Sequence, residues 1–413
     1  MAVGATAVQA PAPASLLRNR PMAALLVAEV LSTTGSQMTG LALPWFVLVT
    51  SGSKQMALVV AAETAGYALF AIPSGSLLTR LGSQRTMRLC DATRAPLMLL
   101  VPLLHWTGDL SLPILVVLAF ALGVSSTPYG AAQHLIVAEI LDEDEAAVER
   151  GNALLQGATR ITMLGGPALG GILIAVVGAP IVLVVDAASY LVAFALVTLF
   201  VPVAAEVRVE GAEDGRGLLA GVRCLLRDPL LRGWTTALVV GDASFSVLFL
   251  SIPVLVFAHY GADPRLAGAF IAAWGVGAVI GNVAAYRSER IGGLRQAPWQ
   301  VLLQAAPLWV LAMPVPAAAL GGALALSGIA NGMVNPTLHA FLTLRPPAPV
   351  RAKALTAANA ASSIGAPVAL ALAAPAFAAY GSRHVAAVAA AGQLAAMSYA
   401  ALITLRYLAR ERA

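Results

Sequence analysis

Long apolar runs, separated by short charged or Gly/Pro-containing breaks, follow one another along almost the whole chain. A helix needs about 20 mainly apolar residues to cross a bilayer, and each run is about that long or longer. The strict alternation of apolar and polar residues that is typical of a transmembrane β-barrel is absent. The pattern therefore predicts an all-α membrane protein with about twelve transmembrane helices, at residues 22–50, 55–78, 89–107, 111–138, 151–177, 180–203, 231–260, 265–287, 297–315, 317–342, 353–379 and 382–408.

The composition excludes a soluble domain. Of the 413 residues, 59% are hydrophobic and 11% are charged, whereas an ordinary soluble domain has about 45–50% and about 25%. Twelve spans leave room only for short loops, so no separate extramembrane domain is expected. The formal net charge of +5 does not indicate nucleic-acid binding, because the basic residues are scattered and form no stripe.

The basic residues predict the topology, since Lys and Arg concentrate in cytoplasmic loops. With both termini placed in the cytoplasm, the outer loops hold only Lys54, Arg265 and Arg383, and the inner segments hold most of the other basic residues. Adding or removing one span would destroy this division. The sequence therefore predicts an even number of spans in a bacterial inner membrane, with both termini cytoplasmic.

No cofactor and no metal site is predicted. Neither lysine, Lys54 or Lys353, follows the glycine of a Walker loop, so the chain cannot bind ATP in that way. Cys90 and Cys224 are far apart in sequence and are expected to be free thiols.

A polar stretch at residues 204–230 divides the chain into two sets of six spans, and short repeats support this division. TRLGSQR (79–85) resembles ERIGGLR (289–295), and GGPALGG (165–171) resembles GAPVAL (365–370), at offsets of about 200–210 residues. Two related halves around a midplane site are typical of secondary transporters. The predicted organisation is a disordered cytoplasmic tail at 1–20, six-helix bundles at 21–203 and 231–413, and a cytoplasmic linker at 204–230 that carries an amphipathic helix.

With these features the chain resembles the major facilitator superfamily, and within it the drug:proton antiporter branch of macrolide efflux proteins and enterobactin-type exporters. The strings that carry the resemblance are GSLLTRLGSQR (75–85), LCDATRA (89–95), GNALLQGATR (151–160), GGPALGG and VDAASYLVA (185–193). The resemblance implies a gating loop motif, a second-half loop motif and a helix 5 antiporter motif. The gating loop motif consists of Gly75, Thr79, Arg80, Gly82, Arg85, Asp91 and Arg94. The second-half loop motif consists of Glu289, Arg290, Gly292 and Arg295. The helix 5 motif consists of Gly165, Gly166, Pro167, Gly170 and Gly171.

Two residues depart from the family pattern. Thr79 stands where the loop motif has an aspartate, and Ser36 stands at a first-helix position that is often acidic in this branch. The family's loop carboxylate is thought to steady the outward-open state by a contact with a helix dipole. A threonine can cap a helix end but cannot supply that charge, so the resemblance implies a weaker gate here.

Ionisable residues inside a bilayer cost about 2.5–3.5 kcal/mol each on insertion scales, so each needs a reason. Glu29 in the first span and Asp242 in the seventh are proposed proton or substrate sites, since apolar surroundings disfavour a charged carboxylate. Structural hydrogen bonding is the alternative for both, and Glu63 is a third candidate. Arg160 is expected to neutralise Glu29 or Asp91 or to meet an anionic substrate, and a structural ion pair is the favoured interpretation.

Other candidate residues have equally open interpretations. Asp91 and Arg94 share a helix face and form either part of a gate or a plain ion pair. The 165–171 motif indicates either an exporter or tight helix packing, because its glycines permit close approach and its proline kinks the helix. Polar and aromatic side chains that are pocket candidates, with packing as the alternative, are Gln37, Trp45, Tyr67, Gln133, Trp274 and Asn331.

The sequence therefore predicts a monomeric, proton-coupled exporter that moves an amphipathic drug, antibiotic or siderophore by alternating access. Its expected partners are the lipid bilayer, the small-molecule substrate and protons. An importer of a nutrient or lipid on the same fold is one rival, and a transport-inactive sensor or assembly factor is another. A membrane enzyme is disfavoured, because no D-x-x-x-D or G-x-S-x-G arrangement is present.

Overall fold

The computed structural model describes residue 16 and residues 18–141, 144–202, 215–287, 294–347 and 350–410. Within these residues the regular elements are helices. They are α1 (Arg20–Ser51), α2 (Ser53–Leu81), α3 (Ser83–Thr107), α4 (Leu112–Ile140), α5 (Glu145–Val177), α6 (Ala179–Phe200), α7 (Gly215–Arg227), α8 (Pro229–His259), α9 (Pro264–Arg287), α10 (Ala297–Ala305), a 3₁₀ helix (Ala306–Ala312), α11 (Ala317–Leu344) and α12 (Arg351–Arg410).

Each predicted span coincides with a helix, so the predicted fold class is confirmed. The eleventh and twelfth spans are the two segments of α12, which reverses direction at Gly381 (φ 76°, ψ 170°). The reversal follows from the contacts of α12, because Ala354 near its start and Ala401 near its end both lie in clusters with the first residues of α8. Residues 203–214, which include the first part of the predicted linker, and most of the predicted tail lie outside the described residues.

Length and hydropathy mark seven of the described helices as able to cross a membrane: α4, α5, α6, α8, α9, α11 and α12. Polar residues lower the hydropathy of α1, α2 and α3, although these helices contain 32, 29 and 25 residues. The ninth span has few residues, and it consists of α10 followed directly by the 3₁₀ helix. Its 9 α-helical and 7 3₁₀ residues reach roughly 27 Å, close to the thickness of the hydrocarbon core.

The two halves repeat the same helix packing. In the first half α2 packs along α4, and in the second half α9 packs along α11. Glycines lie at both crossings, and a Cβ atom on Gly123 or Gly328 would collide with the backbone of the facing helix at Glu63 or Trp274. Likewise α1 packs on α5 and α6, as α8 packs on the two segments of α12. The interface between the halves is formed by α2 with α12 and by α5 with α9.

Single glycines form several of the connections between successive spans. Gly178 joins α5 to α6 with φ 85° and ψ 154°, and Gly381 makes the equivalent turn in the second half. Gly52 has a similar conformation between α1 and α2. These φ/ψ values are accessible essentially only to glycine, so these positions allow a reversal within one residue.

The ends of α1 and α8 lie together, because the rings of Trp45 and Phe257 are in edge contact with 6.2 Å between their centroids. These helices therefore run in the same direction. The face of the bundle at which α1 begins is called the terminal face below, and the other is the opposite face. The last residues of α12 return to the terminal face, where Trp234 Nε1 donates a hydrogen bond to Thr404.

The halves are joined at the opposite face and separated at the terminal face. One large cluster of buried apolar residues contains Phe46 of the first half together with Leu255 and Phe270 of the second. Toward the terminal face, the described members of each buried cluster come from a single half, around Ile136 in the first and around Trp234 in the second. The described structure is therefore open between the halves at the terminal face.

An ion pair at the terminal face joins three helices of the second half. Arg345 Nε, at the end of α11, lies 2.8 Å from Asp228 Oδ2, and Arg345 Nη1 donates to the Tyr407 hydroxyl of α12 at 2.9 Å. Asp228 Oδ1 also caps α8 by accepting hydrogen bonds from the backbone N–H groups of Leu230 and Leu231. Partial burial raises the pKa of Asp228, but hydrogen bonds from Arg345 and these N–H groups outweigh it and hold this pKa below its usual value.

A carboxyl group with a lowered pKa stabilises the folded state above its unfolded pKa, and that contribution is lost as the pH falls through its folded pKa. We therefore expect Asp228→Asn to lower the apparent Tm in detergent at pH 7, by roughly 1–4 °C for a partly exposed ion pair. The difference from the parent should shrink once the pH falls below about 4. Asp109→Asn, at an exposed acid in the α3–α4 connection, is the control. A Tm difference for Asp228→Asn that is independent of pH would contradict this account.

Candidate functional site

Glu29 lies two turns into α1 and points into the core of the first half, where it is 2% exposed. Its Oε1 accepts a hydrogen bond from the Tyr129 hydroxyl at 2.5 Å, and its Oε2 accepts one from Gln133 Nε2 at 2.8 Å. Tyr129 and Gln133 are four residues apart on α4 and so lie on one face of that helix. Both carboxylate oxygens are therefore held by α4.

Arg94 and Asp91 form a buried ion pair on α3, with 2.5 Å between Nη2 and Oδ1. The Arg94 guanidinium lies between two aromatic rings, 4.2 Å from the centroid of Tyr129 and 4.5 Å from that of Tyr190. Such cation–π contacts are strongest where water is excluded. Tyr129 therefore touches both the Glu29 carboxylate and the Arg94 cation, and it links the two.

The network continues into α6. The Ser36 and Tyr190 hydroxyl oxygens are 2.9 Å apart, so the serine that replaces the family's acid is a hydrogen-bond partner of Tyr190. Asp186, 0% exposed, accepts hydrogen bonds from Thr39 at 2.6 Å and from Ser189 at 3.2 Å. This acid therefore ties α6 to α1.

The net charge of this network depends on whether it holds a proton. Glu29 and Asp91 share one guanidinium, Arg94, so these three groups are neutral together when one proton is bound and carry a net negative charge when none is. A buried uncompensated charge is costly, so adding or removing that proton changes the energy of the site strongly.

The sequence did not single out Tyr129 or Tyr190, the two rings that build the site. One signal was available: Tyr129 precedes the pocket candidate Gln133 by four residues, and a buried tyrosine hydroxyl usually has a hydrogen-bond partner. No local spacing points to Tyr190, which contacts residues on α1 and α3.

The predicted gating residues lie in two places. Asp91 and Arg94 belong to the buried network, whereas Arg80 and Arg85 are exposed at the terminal face. Gly82 forms the one-residue break between α2 and α3 with φ 76°. Gly75 and Thr79 lie in α2 at positions whose surroundings are not described, Glu289, Arg290 and Gly292 lie outside the described residues, and Arg295 is exposed just before α10.

Two side chains of the loop motif anchor the start of α3. Ser83 donates a hydrogen bond to Glu139 at the end of α4, at 2.6 Å. Gln84 Nε2 donates to the carbonyl oxygens of Val197 and Val201 at the end of α6, at 3.2 and 2.7 Å. The motif therefore fixes the positions of three helix ends of the first half.

The glycines of the 165–171 motif give α5 two close contacts. Gly166 and Gly170 face Gln37 and Met38 of α1, while Gly165 faces open space. On another side, a Cβ on Gly171 would lie 2.5 Å from the carbonyl oxygen of Pro264 in α9. In turn, Gly268 of α9 fits closely against the Pro167 carbonyl. The motif therefore packs α5 both within its half and across the interface.

Arg160 lies on the α5 stripe that faces the other half. It precedes Leu164, Pro167 and Gly171 by 4, 7 and 11 residues, and these three residues contact α9. Arg160 itself is exposed, and neither Glu29 nor Asp91 contacts it. Its side chain thus lines the cleft between the halves, toward the terminal face.

The remaining candidates are distributed over both halves. Glu63 is partly buried on α2, with Asp186 as an acidic neighbour, and Tyr67 is 42% exposed. Trp45 belongs to the contact at the opposite face. Asp242, Trp274 and Asn331 line a cavity of about 270 Å³ within the second half. The six pocket candidates therefore do not form a single pocket.

Among the described residues, no group of three or more His, Cys, Asp or Glu side chains is arranged to hold a metal ion. Cys90 and Cys224 are free thiols.

Among curated proteins, the chain is similar to multidrug efflux pumps. The chain is 28% identical to multidrug efflux pump Tap of Mycobacterium tuberculosis over 254 residues. This aligned region covers 59% of this chain and 59% of that protein. It is 23% identical over 378 residues to Tap of Mycolicibacterium fortuitum, covering 86% of this chain and 88% of that protein. The chain thus spans about three fifths of the length of the first relatives it matches.

Solved structures share the fold at low sequence identity. The nucleoside transporter NupG superposes with a TM-score of 0.68 and 11% identity over 94% of this chain and 99% of its own. A bacterial homologue of the human lysosomal transporter Spinster gives a TM-score of 0.70 and 14% identity over 94% and 98%. The model of the Major Facilitator Superfamily matches residues 25–370. The protein is therefore a membrane-embedded member of the Major Facilitator Superfamily, a family of transporters.

Proposed function

We propose that the protein is a proton-coupled exporter of amphipathic small molecules, which works by alternating access in a bacterial inner membrane. The observation that carries this proposal is Glu29, a buried acid whose two oxygens are bound by α4 and which is joined through Tyr129 to the Arg94–Asp91 pair.

Protonation of Glu29 changes the contact between α1 and α4. When the carboxylate is ionised, the hydrogen bonds from Tyr129 and Gln133 are charge-assisted, and such bonds are about twice as strong as neutral ones. A proton on Glu29 weakens both bonds and leaves the Arg94–Asp91 pair neutral. Gln133, which binds Glu29 Oε2, is partly exposed, so in this proposal protons reach Glu29 past the Gln133 side chain.

The separation of the halves supports alternating access. If the terminal face is cytoplasmic, as the basic residues predict, the described state opens to the cytoplasm. The Spinster homologue, which has the same fold, is described as inward-facing and unoccupied. Conversion to the other state requires the contacts of Trp45 with Phe257 and of α5 with α9 to break. At the same time, the helix ends of the two halves at the terminal face must approach each other.

Export is favoured over import by the multidrug efflux pumps among the relatives. Import on the same fold is the competing function, and NupG, which has this fold, is a nucleoside transporter. A transport-inactive sensor is the third candidate function. The three functions differ in the direction of substrate movement under a pH gradient, so one assay separates them.

The test is transport by purified protein in proteoliposomes with an imposed pH gradient, with the fluorescent cation ethidium as the probe. One pH unit corresponds to about 1.4 kcal/mol per proton, which drives about tenfold accumulation. We expect the parent protein to accumulate ethidium against its gradient, and Glu29→Gln to retain downhill flux but lose this accumulation. Glu149→Gln, at an exposed glutamate at the start of α5, is the matched control.

Normal uphill transport by Glu29→Gln would overturn the proton-site assignment. Movement of the probe with the protons instead of against them would favour an importer. A parent protein that moves no probe in either direction would favour the sensor.

A further inference from the structure

The cavity in the second half is enclosed by helices α8 to α12 and is separate from the Glu29 network. Its volume is about 270 Å³, near the lower end of the range for small-molecule sites. It combines one carboxylate, Asp242, with the amides of Gln304, Asn331, Asn335 and Gln393 and the indole of Trp274. This is an unusual set of polar groups for the interior of a membrane bundle, where polar side chains mark functional sites.

Two buried polar groups of the cavity have no hydrogen-bond partner among the described residues. Gln393 is 2% exposed and its Oε1 accepts no hydrogen bond, and Trp274 Nε1 donates none. An unpaired buried donor or acceptor destabilises the folded protein, so such groups usually have a partner. The cavity therefore presents one free acceptor and one free donor to whatever occupies it.

The walls of the cavity favour a cation. Among the described residues that line it, Asp242 is the ionisable one, and none is Lys, Arg or His. The Trp274 ring packs with its centroid 5.2 Å from those of Phe245 and Phe249, which gives an aromatic wall beside the carboxylate. A carboxylate next to aromatic rings attracts organic cations, whereas an anion would be repelled.

A ligand can reach the cavity from the cleft between the halves. Asp242 is exposed, and it lies on the α8 stripe that continues through Ser246, Phe249 and Pro253 to Phe257. Phe257 contacts Trp45 of the first half at the opposite face. Asp242 therefore lies where this stripe faces the other half, closer to the open terminal face.

We propose that this cavity is a binding site for a planar organic cation, with the cationic nitrogen beside Asp242, the ring on Trp274 and Phe245, and N–H donors toward Gln393 Oε1. This inference rests on the proposed function and names a class of cargo for it. Proton binding at Glu29 and cargo binding at Asp242 then belong to different halves of the molecule.

The test is equilibrium binding of proflavine, a planar cation with two amino groups, to the purified full chain in detergent, followed by fluorescence titration. Acridine, which has the same ring system and is uncharged at pH 8, is the neutral comparison. We expect Asp242→Asn to weaken proflavine binding roughly 10–100-fold and to leave acridine binding unchanged. Asp109→Asn, an exposed acid remote from the cavity, should bind both probes like the parent.

Gln393→Leu removes the amide with little change in side-chain size, and Trp274→Phe removes the indole N–H but keeps an aromatic ring in the wall. Each variant should weaken proflavine binding by several-fold. Monodisperse size-exclusion profiles identify folded variants. The inference is overturned if Asp242→Asn and Gln393→Leu both bind proflavine like the parent, or if the parent binds no proflavine. Because this assay uses no pH gradient, its result is independent of the uphill transport that tests Glu29.

Discussion

Replacing Arg94 by glutamine is expected to lower the free energy of unfolding by about 3–5 kcal/mol, because it leaves Asp91 as a buried charge without its partner. It also removes the cation that lies between Tyr129 and Tyr190. The apparent Tm in detergent should fall by roughly 5–15 °C. If the network is the proposed proton site, uphill transport should also be lost at temperatures where the variant is folded, since Glu29 and Asp91 then lack their cation.

The double variant Asp91→Asn/Arg94→Gln is the matched control, because it removes both charges. It should recover much of the lost stability, since neutral amides in place of a buried pair cost far less than one unpaired charge. It should not recover uphill transport. Equal Tm values for the single and double variants would show that the instability has another cause, such as the lost packing between the tyrosine rings.

Replacing Gly171 by alanine is expected to shift the balance between the two states of the alternating-access cycle proposed above. The new Cβ would lie 2.5 Å from the Pro264 carbonyl oxygen and 3.2 Å from the Cα of Gly268, so α5 and α9 must move apart at the opposite face. Overpacking of this kind costs about 1–3 kcal/mol, which corresponds to a shift of roughly 5–150-fold in the ratio of the states. The alternative state, open at the opposite face, should gain population.

Spin labels at positions 149 and 286, at the terminal ends of α5 and α9, report the shift, and Tyr286 is 93% exposed. The distance between the labels should shorten in Gly171→Ala as the terminal ends approach each other. Gly157→Ala, on the same helix in open space, should leave the distance distribution unchanged. A Gly171→Ala distribution identical to that of the parent would show that α5 and α9 do not separate between states.

The sequence predicted the number of spans and their positions because a bilayer imposes a requirement on local composition. Each helix needs its own apolar run, and this can be read without knowledge of tertiary contacts. The change from α-helix to 3₁₀ helix at Ala306 was not predicted. Its stabilisation is tertiary, since Ser327 of α11 donates a hydrogen bond to the carbonyl oxygen of Gln304 at this junction.

The candidate site was predicted only in part, for the same reason. The Asp91–Arg94 pairing follows from a spacing of three residues, but spacing does not give depth, and the pair is buried in the first half. The contacts of Glu29 with Tyr129 and of Ser36 with Tyr190 join residues 100 and 154 positions apart. No periodicity in one sequence encodes such pairs.

The connections at the opposite face are short throughout: residues 52, 108–111, 178, 260–263, 313–316 and 381. A protease that acts from that side needs an extended segment of several residues in its active site, and connections of one to four residues do not supply one. If the opposite face is extracellular, as the basic residues predict, intact cells should protect this chain against externally added trypsin. An epitope tag inserted at Gly178 or Gly381 would have to replace a turn that only glycine can make.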